Sequence, residues 1–328
     1  MGEKSFRAKQ IYEWLWKKNA HSFDDMTNLS KTLRSKLSEN FSIQNIQVNS
    51  MQKSDDETIK NAVRLFDGNI VESVLIPTEN RTTACVSCQV GCSLNCEFCA
   101  TAKLKRMRNL TAAEIVDQVV VIDKQSREFF DRPLSNIVYM GMGEPMMNYN
   151  EVVKSIRMIT SPQGLGMSPK RITVSTSGIP KMIKMLADEE LKVKLAVSLH
   201  SAREEIRNRI MPFSEKFPLT ELLESLQYWY QKTKSKITFE YLVWKDINDR
   251  QTDIDALVRY AKRVPSKINL IEYNPIGESE FEQAHPAVIE AYTDAIQQNG
   301  IVVKVRRSRG KDIDAACGQL ANKSLEEI

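Results

Sequence analysis

The stretch Cys92-Ser-Leu-Asn-Cys96-Glu-Phe-Cys99 places three cysteines at the spacing C-x3-C-x2-C. Three thiolates at such short intervals can bind three of the four irons of a [4Fe–4S] cube. Two more cysteines, Cys85 and Cys88, lie just upstream of this stretch. Clustered cysteines in a chain without secretory features indicate metal binding or redox chemistry rather than structural disulfides. No histidine lies beside the cluster, which disfavours a mixed Cys/His zinc site.

The fourth iron of such a cube has no protein ligand, and the amine and carboxylate of S-adenosylmethionine (SAM) can chelate it. An electron from the cluster can then cleave the sulfonium C–S bond to give a 5′-deoxyadenosyl radical. The motif therefore predicts a radical SAM enzyme. The alternative is a four-cysteine zinc site made by Cys85-x2-Cys88 and Cys96-x2-Cys99. It is disfavoured because the intervening segment is short for a zinc ribbon and Cys92 would have no role.

Downstream of the cysteines, apolar strand patterns alternate with amphipathic helix patterns. Thr111-x-x-Glu114 is a capping box that opens the first of these helices. Strands are predicted at 137–140, 171–176, 193–199, 237–243, 268–272 and 301–306, and further helices at 152–159, 180–186, 219–232, 254–263 and 287–298. About six strand–helix units predict an α/β fold with a parallel sheet and right-handed crossovers. The pattern is compatible with an open sheet or a partial barrel.

The first 80 residues have a different pattern. Residues 5–45 predict helices, one of them marked by Leu33 and Leu37 at i, i+4 spacing. Residues 46–77 predict strands, with Asp67-Gly68 as a hairpin turn. We therefore expect a small helical accessory domain and a strand-rich extension ahead of the main α/β fold.

The composition is that of a soluble globular protein, with 42% hydrophobic and 27% charged residues in 328. No apolar run approaches the roughly 20 residues of a membrane span, and no signal peptide pattern opens the chain. We predict a cytoplasmic protein without membrane contact. The net charge of +4 is mild, but two basic groups flank the cysteines: Lys103, Lys105, Arg106 and Arg108, and Lys304, Arg306, Arg307, Arg309 and Lys311. Each group is either a phosphate-binding surface or a solvated face.

Polar segments follow several of the predicted strands: Gly141-Met-Gly-Glu144, Ser175-Thr-Ser177, Ser198-Leu-His200 and Tyr273-Asn274-Pro275. In a parallel α/β fold these segments converge at the carboxyl ends of the strands, where ligands bind. Glycines allow the backbone to approach a ligand closely, and Glu144 could accept hydrogen bonds from the ammonium of SAM. An ordinary strand-to-helix loop is the alternative.

Four motifs together resemble one family: Val71-Glu72-Ser73-Val74, Cys85-Val-Ser-Cys-Gln-Val-Gly-Cys92, Gly141-Met-Gly-Glu-Pro145 and Asp312-Ile-Asp-Ala-Ala-Cys-Gly-Gln-Leu320. They resemble the RlmN dual-specificity RNA methyltransferases, over nearly the whole chain. The resemblance implies a radical SAM partial (β/α)6 barrel with a small N-terminal helical accessory domain. The expected domains are 1–45 (helical, RNA-binding), 46–80 (strand-rich extension), 81–310 (barrel) and 311–328 (C-terminal segment with Cys317).

The resemblance also implies a mechanism, in which C2 of an adenosine in 23S rRNA and in tRNA is methylated. One SAM would methylate Cys317, and a second SAM on the cluster at Cys92, Cys96 and Cys99 would give the adenosyl radical that takes a hydrogen from this S-methyl group. The carbon radical would add to adenine C2 and join enzyme to RNA. Glu72 would remove the C2 proton, and Cys85 would attack the Cys317 sulfur, releasing the product and leaving a disulfide for reduction.

By the same resemblance, the SAM-contacting positions are Gly143, Glu144, Ser175, Ser198, Leu199, His200 and Asn274. The implied partners are 23S rRNA, tRNA and an electron donor such as flavodoxin or ferredoxin, and we expect a monomer. The sequence departs from the family pattern at Cys88, where serine is expected, and in a somewhat short N-terminal region. Three alternatives stay open: methylation of adenine C8, as in the sister family Cfr; another radical SAM activity, such as glycyl-radical activation; and a zinc-dependent RNA-binding module without catalysis.

Overall fold

The computed structural model describes residues 2–18, 20–43, 45–277 and 280–322. The strands are β1 (Gln47–Lys53), β2 (Ile59–Arg64), β3 (Ile70–Thr78), β4 (Arg81–Cys85), β5 (Gln89–Val90), β6 (Arg108–Asn109), β7 (Asn136–Tyr139), β8 (Ile172–Thr176), β9 (Lys194–Ser198), β10 (Ile237–Leu242), β11 (Ser266–Ile271) and β12 (Val302–Arg306). The helices are α1 (Ser5–Trp16), α2 (Lys31–Asn40), α3 (Ala100–Lys103), α4 (Ala112–Phe130), α5 (Tyr149–Thr160), α6 (Pro180–Asp188), α7 (Glu204–Ile210), α8 (Leu219–Thr233), α9 (Gln251–Ala261) and α10 (Pro286–Gln298).

The N-terminal helices pack around an apolar cluster of their own. Its buried members include Phe23, Met26 and Leu33, and α1 contributes the partly buried Trp14 and Leu15. The Ser30 hydroxyl caps α2 by accepting a hydrogen bond from the backbone N–H of Leu33 at 3.2 Å. The helix predicted from Leu33 and Leu37 is confirmed, and both side chains are buried. The cluster is distinct from the main core of the protein.

Ten of the strands form one sheet in the order β1-β2-β3-β4-β7-β8-β9-β10-β11-β12. Strands β1 to β4 pair antiparallel in sequence order, which confirms the predicted strands and the turn at Asp67-Gly68. Residues 46–80 are therefore continuous with the main sheet rather than a separate layer. The short strands β5 and β6 pair with each other, outside this sheet.

From β4 onward all the neighbouring strands are parallel. Each crossover carries a helix, in the order α4, α5, α6, α8, α9 and α10, and so the six strand–helix units are confirmed. The sheet has free edges at β1 and β12, but residues from β3, β4 and β7 to β12 line one common cavity. The sheet is therefore curved into a partial (β/α)6 barrel.

The capping box predicted for α4 is present. The Thr111 hydroxyl accepts a hydrogen bond from the backbone N–H of Glu114 at 3.3 Å, and the Glu114 carboxylate accepts one from the N–H of Thr111 at 2.8 Å. These bonds satisfy backbone donors that have no partner within the helix. They fix the start of the helix that returns the chain from the cysteine segment to the sheet.

No helix in the described ranges combines the length and the apolar character needed to cross a membrane.

Candidate active site

The turn after β7 brings the backbone close to the cysteine segment. A Cβ atom on Gly141 would lie 2.6 Å from the Ser87 hydroxyl, and one on Gly143 would lie 2.5 Å from Cβ of Gln89. Gly143 also has φ +96°, a conformation that favours glycine. The backbone N–H of Glu144 donates to the side-chain oxygen of Gln89 at 2.8 Å. Glycine is required at both positions because the turn packs directly against residues 86–89.

Glu144 is held in a fixed position at the carboxyl ends of the strands. Its carboxylate accepts hydrogen bonds from the backbone N–H of Met146 at 3.0 Å and of Ser177 at 2.8 Å. Burial raises the pKa of this carboxyl, and the hydrogen bonds from Ser177 and Met146 oppose the rise. A buried carboxylate at this point can receive a positively charged ligand group.

One cavity of about 1000 Å³, partly open to solvent, brings most of the predicted site residues together. Ten of them line it: Cys92, Cys96, Cys99, Gly143, Glu144, Ser175, Ser198, His200, Asn274 and Cys317. They come from the cysteine segment, from the ends of four different strands and from the C-terminal segment. The convergence expected of a parallel α/β fold is therefore present.

The three cysteines of the spacing motif lie along one wall of this cavity. Burial raises the pKa of all three thiols, and the proximity of Cys92 and Cys99 raises that of Cys96 further. Bound iron reverses this effect, because a metal ion stabilises the thiolate. In the described part of the chain no group of three or more His, Cys, Asp or Glu is arranged to hold a single metal ion. Three thiolates, one for each of three irons, match the donor set of a [4Fe–4S] cluster.

Aromatic and imidazole rings close the cavity beside the cysteines. The ring of Phe98 packs edge-on against His200 with centroids 4.7 Å apart, and it contacts Trp244 at 5.2 Å. Nδ1 of His200 accepts a hydrogen bond from the backbone N–H of Leu242 at 3.1 Å. Burial, and to a lesser extent Arg207, lowers the pKa of His200 to about 3. The imidazole is therefore neutral, with its proton on Nε2, and can donate a hydrogen bond.

Comparison with known proteins identifies the family of this chain. The profile of the radical SAM superfamily matches residues 86–258, and that of the ribosomal RNA large subunit methyltransferase N-terminal domain matches residues 1–43. A probable dual-specificity RNA methyltransferase RlmN of Flavobacterium psychrophilum is 69% identical over 98% of this chain and 93% of its own length. The chain belongs to the RlmN family. The glycyl-radical activase and the non-catalytic zinc module are thereby excluded.

Further comparisons agree with this family. A protein of the same description from Christiangramia forsetii is 69% identical over 98% of this chain and 92% of its own length. A radical SAM methyltransferase from Sphaerobacter thermophilus has a solved structure that superimposes with a TM-score of 0.91 at 40% identity, covering 96% of this chain and 92% of that one. Membership of a radical SAM family implies a [4Fe–4S] cluster and SAM, and the cavity has the donor set for both.

The C-terminal segment that carries Cys317 in this RlmN family member is tied to the cysteine segment. The backbone N–H of Ala100 donates to the carbonyl of Gly318 at 2.7 Å, and the Thr101 hydroxyl donates to that of Leu320 at 2.7 Å. The side-chain amide of Asn274 donates to the carbonyl of Cys317 at 3.2 Å. Cys317 is exposed and is a free thiol.

Cys85 lies at the end of β4 and lines a second cavity, which Cys317 also borders. Burial raises the pKa of Cys85 to about 12, and the neighbouring Cys317 adds to the rise. The Arg306 guanidinium lies near both thiols, and its own pKa is raised chiefly by Cys317. This cation opposes the rise in the pKa of Cys85. Both cysteines are reduced in this structure.

Besides Cys85, two predicted residues do not line the first cavity. The side chain of Leu199 lies in the hydrophobic core, because alternate strand residues face opposite sides of a sheet. Glu72 is buried beside Lys60, with 3.4 Å between carboxylate and ammonium, and it accepts hydrogen bonds from the backbone N–H of Ala321 at 2.8 Å and of Asn322 at 3.1 Å. The geometry gives neither side chain a contact with the SAM cavity.

Sequence reasoning missed two arginines of the site. Arg207 is buried, and its guanidinium donates to the backbone carbonyls of Ser177, Ser198 and Leu199 at the ends of β8 and β9. Arg306 was assigned only to a basic surface group, although its position two residues after Lys304 on a strand places both on one face. No pattern in the sequence marks Arg207, because its partners are backbone atoms.

Proposed function

We propose that this protein is a radical SAM RNA methyltransferase that methylates C2 of an adenosine in 23S rRNA and in tRNA. The observation that carries the proposal is the position of Cys317. This thiol borders the cavity of the cluster cysteines and also the cavity of Cys85. A methyl carrier must reach both the radical source and the thiol that later displaces it, and Cys317 occupies the junction of the two cavities.

In this proposal Cys92, Cys96 and Cys99 hold the cluster, and the strand ends hold SAM. Glu144 accepts hydrogen bonds from the ammonium of SAM, since its carboxylate is already oriented by Ser177 and Met146. Ser175, Ser198, His200 and Asn274 provide further polar groups on the same cavity wall. When bound, the cluster and SAM supply a 5′-deoxyadenosyl radical. The buried aromatic residues around Phe98 exclude water from this side of the cavity.

Cys317 acts twice in each turnover, and two molecules of SAM are consumed. Its thiolate first takes the methyl group of one SAM by displacement, which releases S-adenosylhomocysteine. After a hydrogen atom is removed from this S-methyl group, its carbon bonds to C2 of the adenine. A radical route is required because C2 is not nucleophilic enough for ordinary methyl transfer from SAM.

Release of the product falls to Cys85 and Glu72. Glu72 accepts the C2 proton on Oε1, which faces Lys60 and takes no hydrogen bond, while the backbone N–H groups of Ala321 and Asn322 bind Oε2. The unpaired electron left on the ring after the carbon bonds to C2 would return to the bound cluster. The Cys85 thiolate then attacks the sulfur of Cys317. The S–C bond breaks with its electron pair on the carbon, which takes a proton to become the C2 methyl group, and a Cys85–Cys317 disulfide forms. An electron donor such as flavodoxin or ferredoxin supplies electrons to the cluster, and reduction of the disulfide restores the enzyme.

RNA binding is assigned in part to the N-terminal domain. The profile that matches residues 1–43 is named for ribosomal RNA methyltransferases, which supports an RNA-binding role for residues 1–45. We retain the division into this domain, the extension 46–80, the barrel 81–310 and the C-terminal segment 311–328 as part of the proposal.

A covalent adduct tests these roles. With SAM, reductant and labelled RNA under anaerobic conditions, Cys85→Ala should accumulate an RNA-linked protein on a denaturing gel, because no thiol then displaces Cys317. Cys317→Ala, alone or combined with Cys85→Ala, should give no adduct and no methylated product. Cys88→Ala is the matched control, since Cys88 is an equally buried thiol nearby that lines neither cavity. An unchanged turnover in Cys85→Ala without any adduct would contradict its proposed role.

A further inference from the structure

The space enclosed by the curved sheet, here called the lumen, is lined by polar and charged side chains as well as apolar ones. Inward-facing Thr83, Asn136, Thr173, Thr238 and Asn269 line it, and its volume is about 1850 Å³, partly open to solvent. Closed (β/α)8 barrels fill this position with packed Val, Ile and Leu side chains. A lumen that is unfilled and carries these polar side chains provides room and hydrogen-bonding groups for a polar ligand.

The charge of the lumen is strongly positive. Seven cationic residues line it: Arg81, Lys194, Lys267, Lys304, Arg306, Arg307 and Arg309. Glu240 is the one carboxylate in the described lining, and it accepts a hydrogen bond from Asn269 at 2.9 Å and lies 3.9 Å from Arg306. Within that lining Glu240 acts on Lys267 as well as on Arg306, so that one carboxylate serves three lysines and several arginines. Lys60, by contrast, is neutralised by Glu72 elsewhere in the sheet.

Strand register arranges these three lysines in a diagonal row. Lys304 on β12 is level with Asn269 on β11, which is two residues beyond Lys267 on the same strand. Lys267 is level with Thr238 on β10, and Thr238 is level with Ala196 on β9. Lys194 lies two residues before Ala196, so each lysine is offset from the next by two residues along the strand direction. From the rise per residue and the distance between strands, the row spans about 20 Å of the sheet. A row of this length matches successive anionic groups of a chain better than one small anion.

The three lysines also repel one another. The pKa of Lys267 is lowered by burial and then by Lys194 and Lys304, while Glu240 opposes the shift. Like charges grouped in a partly enclosed space reduce the stability of the folded state. An anionic ligand removes this cost when it binds, because it neutralises the charges that face one another.

We propose that Lys194, Lys267 and Lys304 bind phosphate groups of the RNA strand that carries the target adenosine. The proposal rests on the function proposed above. The lumen that these lysines line also reaches Cys85 and Cys317, and Lys304 is the inward-facing neighbour of Arg306. When the base of a nucleotide reaches Cys317, the three lysines are therefore placed along the lumen to contact phosphates of the same RNA strand.

The test is the salt dependence of RNA binding by the holoenzyme. The variant Lys194→Gln/Lys267→Gln/Lys304→Gln is compared with wild type by fluorescence anisotropy, with a labelled stem–loop RNA at several salt concentrations. For single-stranded contacts each lost phosphate interaction lowers the slope of log Kd against log salt by about 0.7, so that the triple variant should lose about 2. Its Kd at low salt should rise at least about tenfold, which corresponds to two or three lost contacts.

Matched controls separate this site from a general effect of charge. Lys154→Gln/Lys181→Gln/Lys184→Gln removes the same charge from exposed positions on α5 and α6, and its slope should change by less than half as much. Lys194→Arg/Lys267→Arg/Lys304→Arg keeps the charge and should retain the wild-type slope. The triple glutamine variant should keep its iron content, its SAM affinity and at least the wild-type unfolding midpoint, since it removes repulsion and no hydrogen bond.

The outcomes distinguish this inference from the proposed function. If wild type methylates RNA and the lumen variant binds RNA with unchanged slope and Kd, the phosphate site is wrong and the function stands. If the exposed-lysine variant loses as much of the slope, the site is equally wrong. If wild type forms no methylated adenosine, the proposed function is wrong. A smaller slope of log Kd against log salt in the lumen variant, without such a change in the exposed-lysine variant, would still support phosphate binding in the lumen.

Discussion

Arg207 shows how one side chain can organise a site without contacting substrate. Its guanidinium is buried and binds three backbone carbonyls at the ends of β8 and β9. These carbonyls belong to the segments that present Ser198 and His200 to the cavity. Burial lowers the pKa of Arg207 to about 10, which leaves it charged at neutral pH.

Arg207→Met should therefore lower both the stability of the fold and the affinity for SAM. Three buried carbonyls lose their donor, which we expect to cost about 3 kcal/mol or more in unfolding free energy. The measurement is denaturant unfolding, together with SAM binding by equilibrium dialysis. Arg209→Met, on the exposed side of the same helix, is the control. Equal unfolding free energies for the two variants would contradict the assignment.

Asp117 provides a prediction about pH. Burial raises the pKa of its carboxyl to about 6, with a hydrogen bond from the N–H of Ile46 opposing the rise and Glu114 adding to it. The folded state therefore binds a proton that the unfolded chain releases. This contribution to stability is present below the ordinary pKa of an aspartate and is lost as the pH rises through about 6.

Asp117→Asn should thus be more stable than wild type at pH 8, by about 1–3 kcal/mol, with a difference that shrinks towards pH 5. Urea unfolding at a series of pH values measures it. Asp255→Asn, at an exposed position of α9, should show no such dependence. A pH-independent difference for Asp117→Asn would mean that its carboxyl titrates normally.

At the scale of elements, the described part of the C-terminal segment, residues 311–322, is held on both sides of Cys317. Asp312 accepts hydrogen bonds from the Ser54 hydroxyl at 2.5 Å and from the N–H of Asp55 at 3.1 Å. Beyond Cys317, the segment is held by the carboxylate of Glu72 on β3. Cys317 therefore lies between two anchors on the antiparallel half of the sheet.

The buried pair of Lys60 and Glu72 supports the second anchor. Lys60→Met leaves the Glu72 carboxylate buried without a cation and should cost about 3–5 kcal/mol in unfolding free energy. Lys60→Met/Glu72→Leu removes both charges and should recover much of that loss. A double-mutant cycle by chemical denaturation measures the coupling, with Lys53→Met as a control at a partly exposed surface pair. Additive effects would show that the two charges do not interact.

Much of the barrel could be predicted from sequence because its signals are local. The capping box at Thr111 and the apolar strand patterns depend on neighbouring residues, and these elements are where the patterns placed them. The anchors of the C-terminal segment could not be predicted, because Glu72 and Ala321 lie far apart in sequence and one partner is a backbone N–H. For the same reason, alternation on β3 alone could not show whether Glu72 faced solvent or the interior.

The cavity residues also divide into those with a local sequence signal and those whose position depends on the fold. The cluster cysteines and Glu144 were predicted because their spacing or their position after a strand is itself the signal. Leu199 was included with its neighbours Ser198 and His200, and the strand pleat turns its side chain to the core. The position of Arg306 near Cys85 and Cys317 could not be predicted, because it depends on how the fold arranges β12 relative to these cysteines.

At the scale of the whole molecule, two cavities meet at Cys317. One contains the cluster cysteines and the proposed SAM contacts, and the other is the basic lumen that reaches Cys85. Under the proposed function, SAM would occupy the first cavity and the target nucleotide the lumen, and Cys317 borders both.

The central claim is the site of methylation, and identification of the modified nucleoside tests it most directly. Anaerobically reconstituted protein is incubated with SAM, a reductant and either tRNA or an rRNA fragment of the peptidyl-transferase loop. The RNA is then digested and compared with standards by mass spectrometry. We predict 2-methyladenosine from both RNAs. With an intact cluster confirmed, 8-methyladenosine would assign the chemistry of the sister family, and the absence of any methylated adenosine would contradict the proposed function.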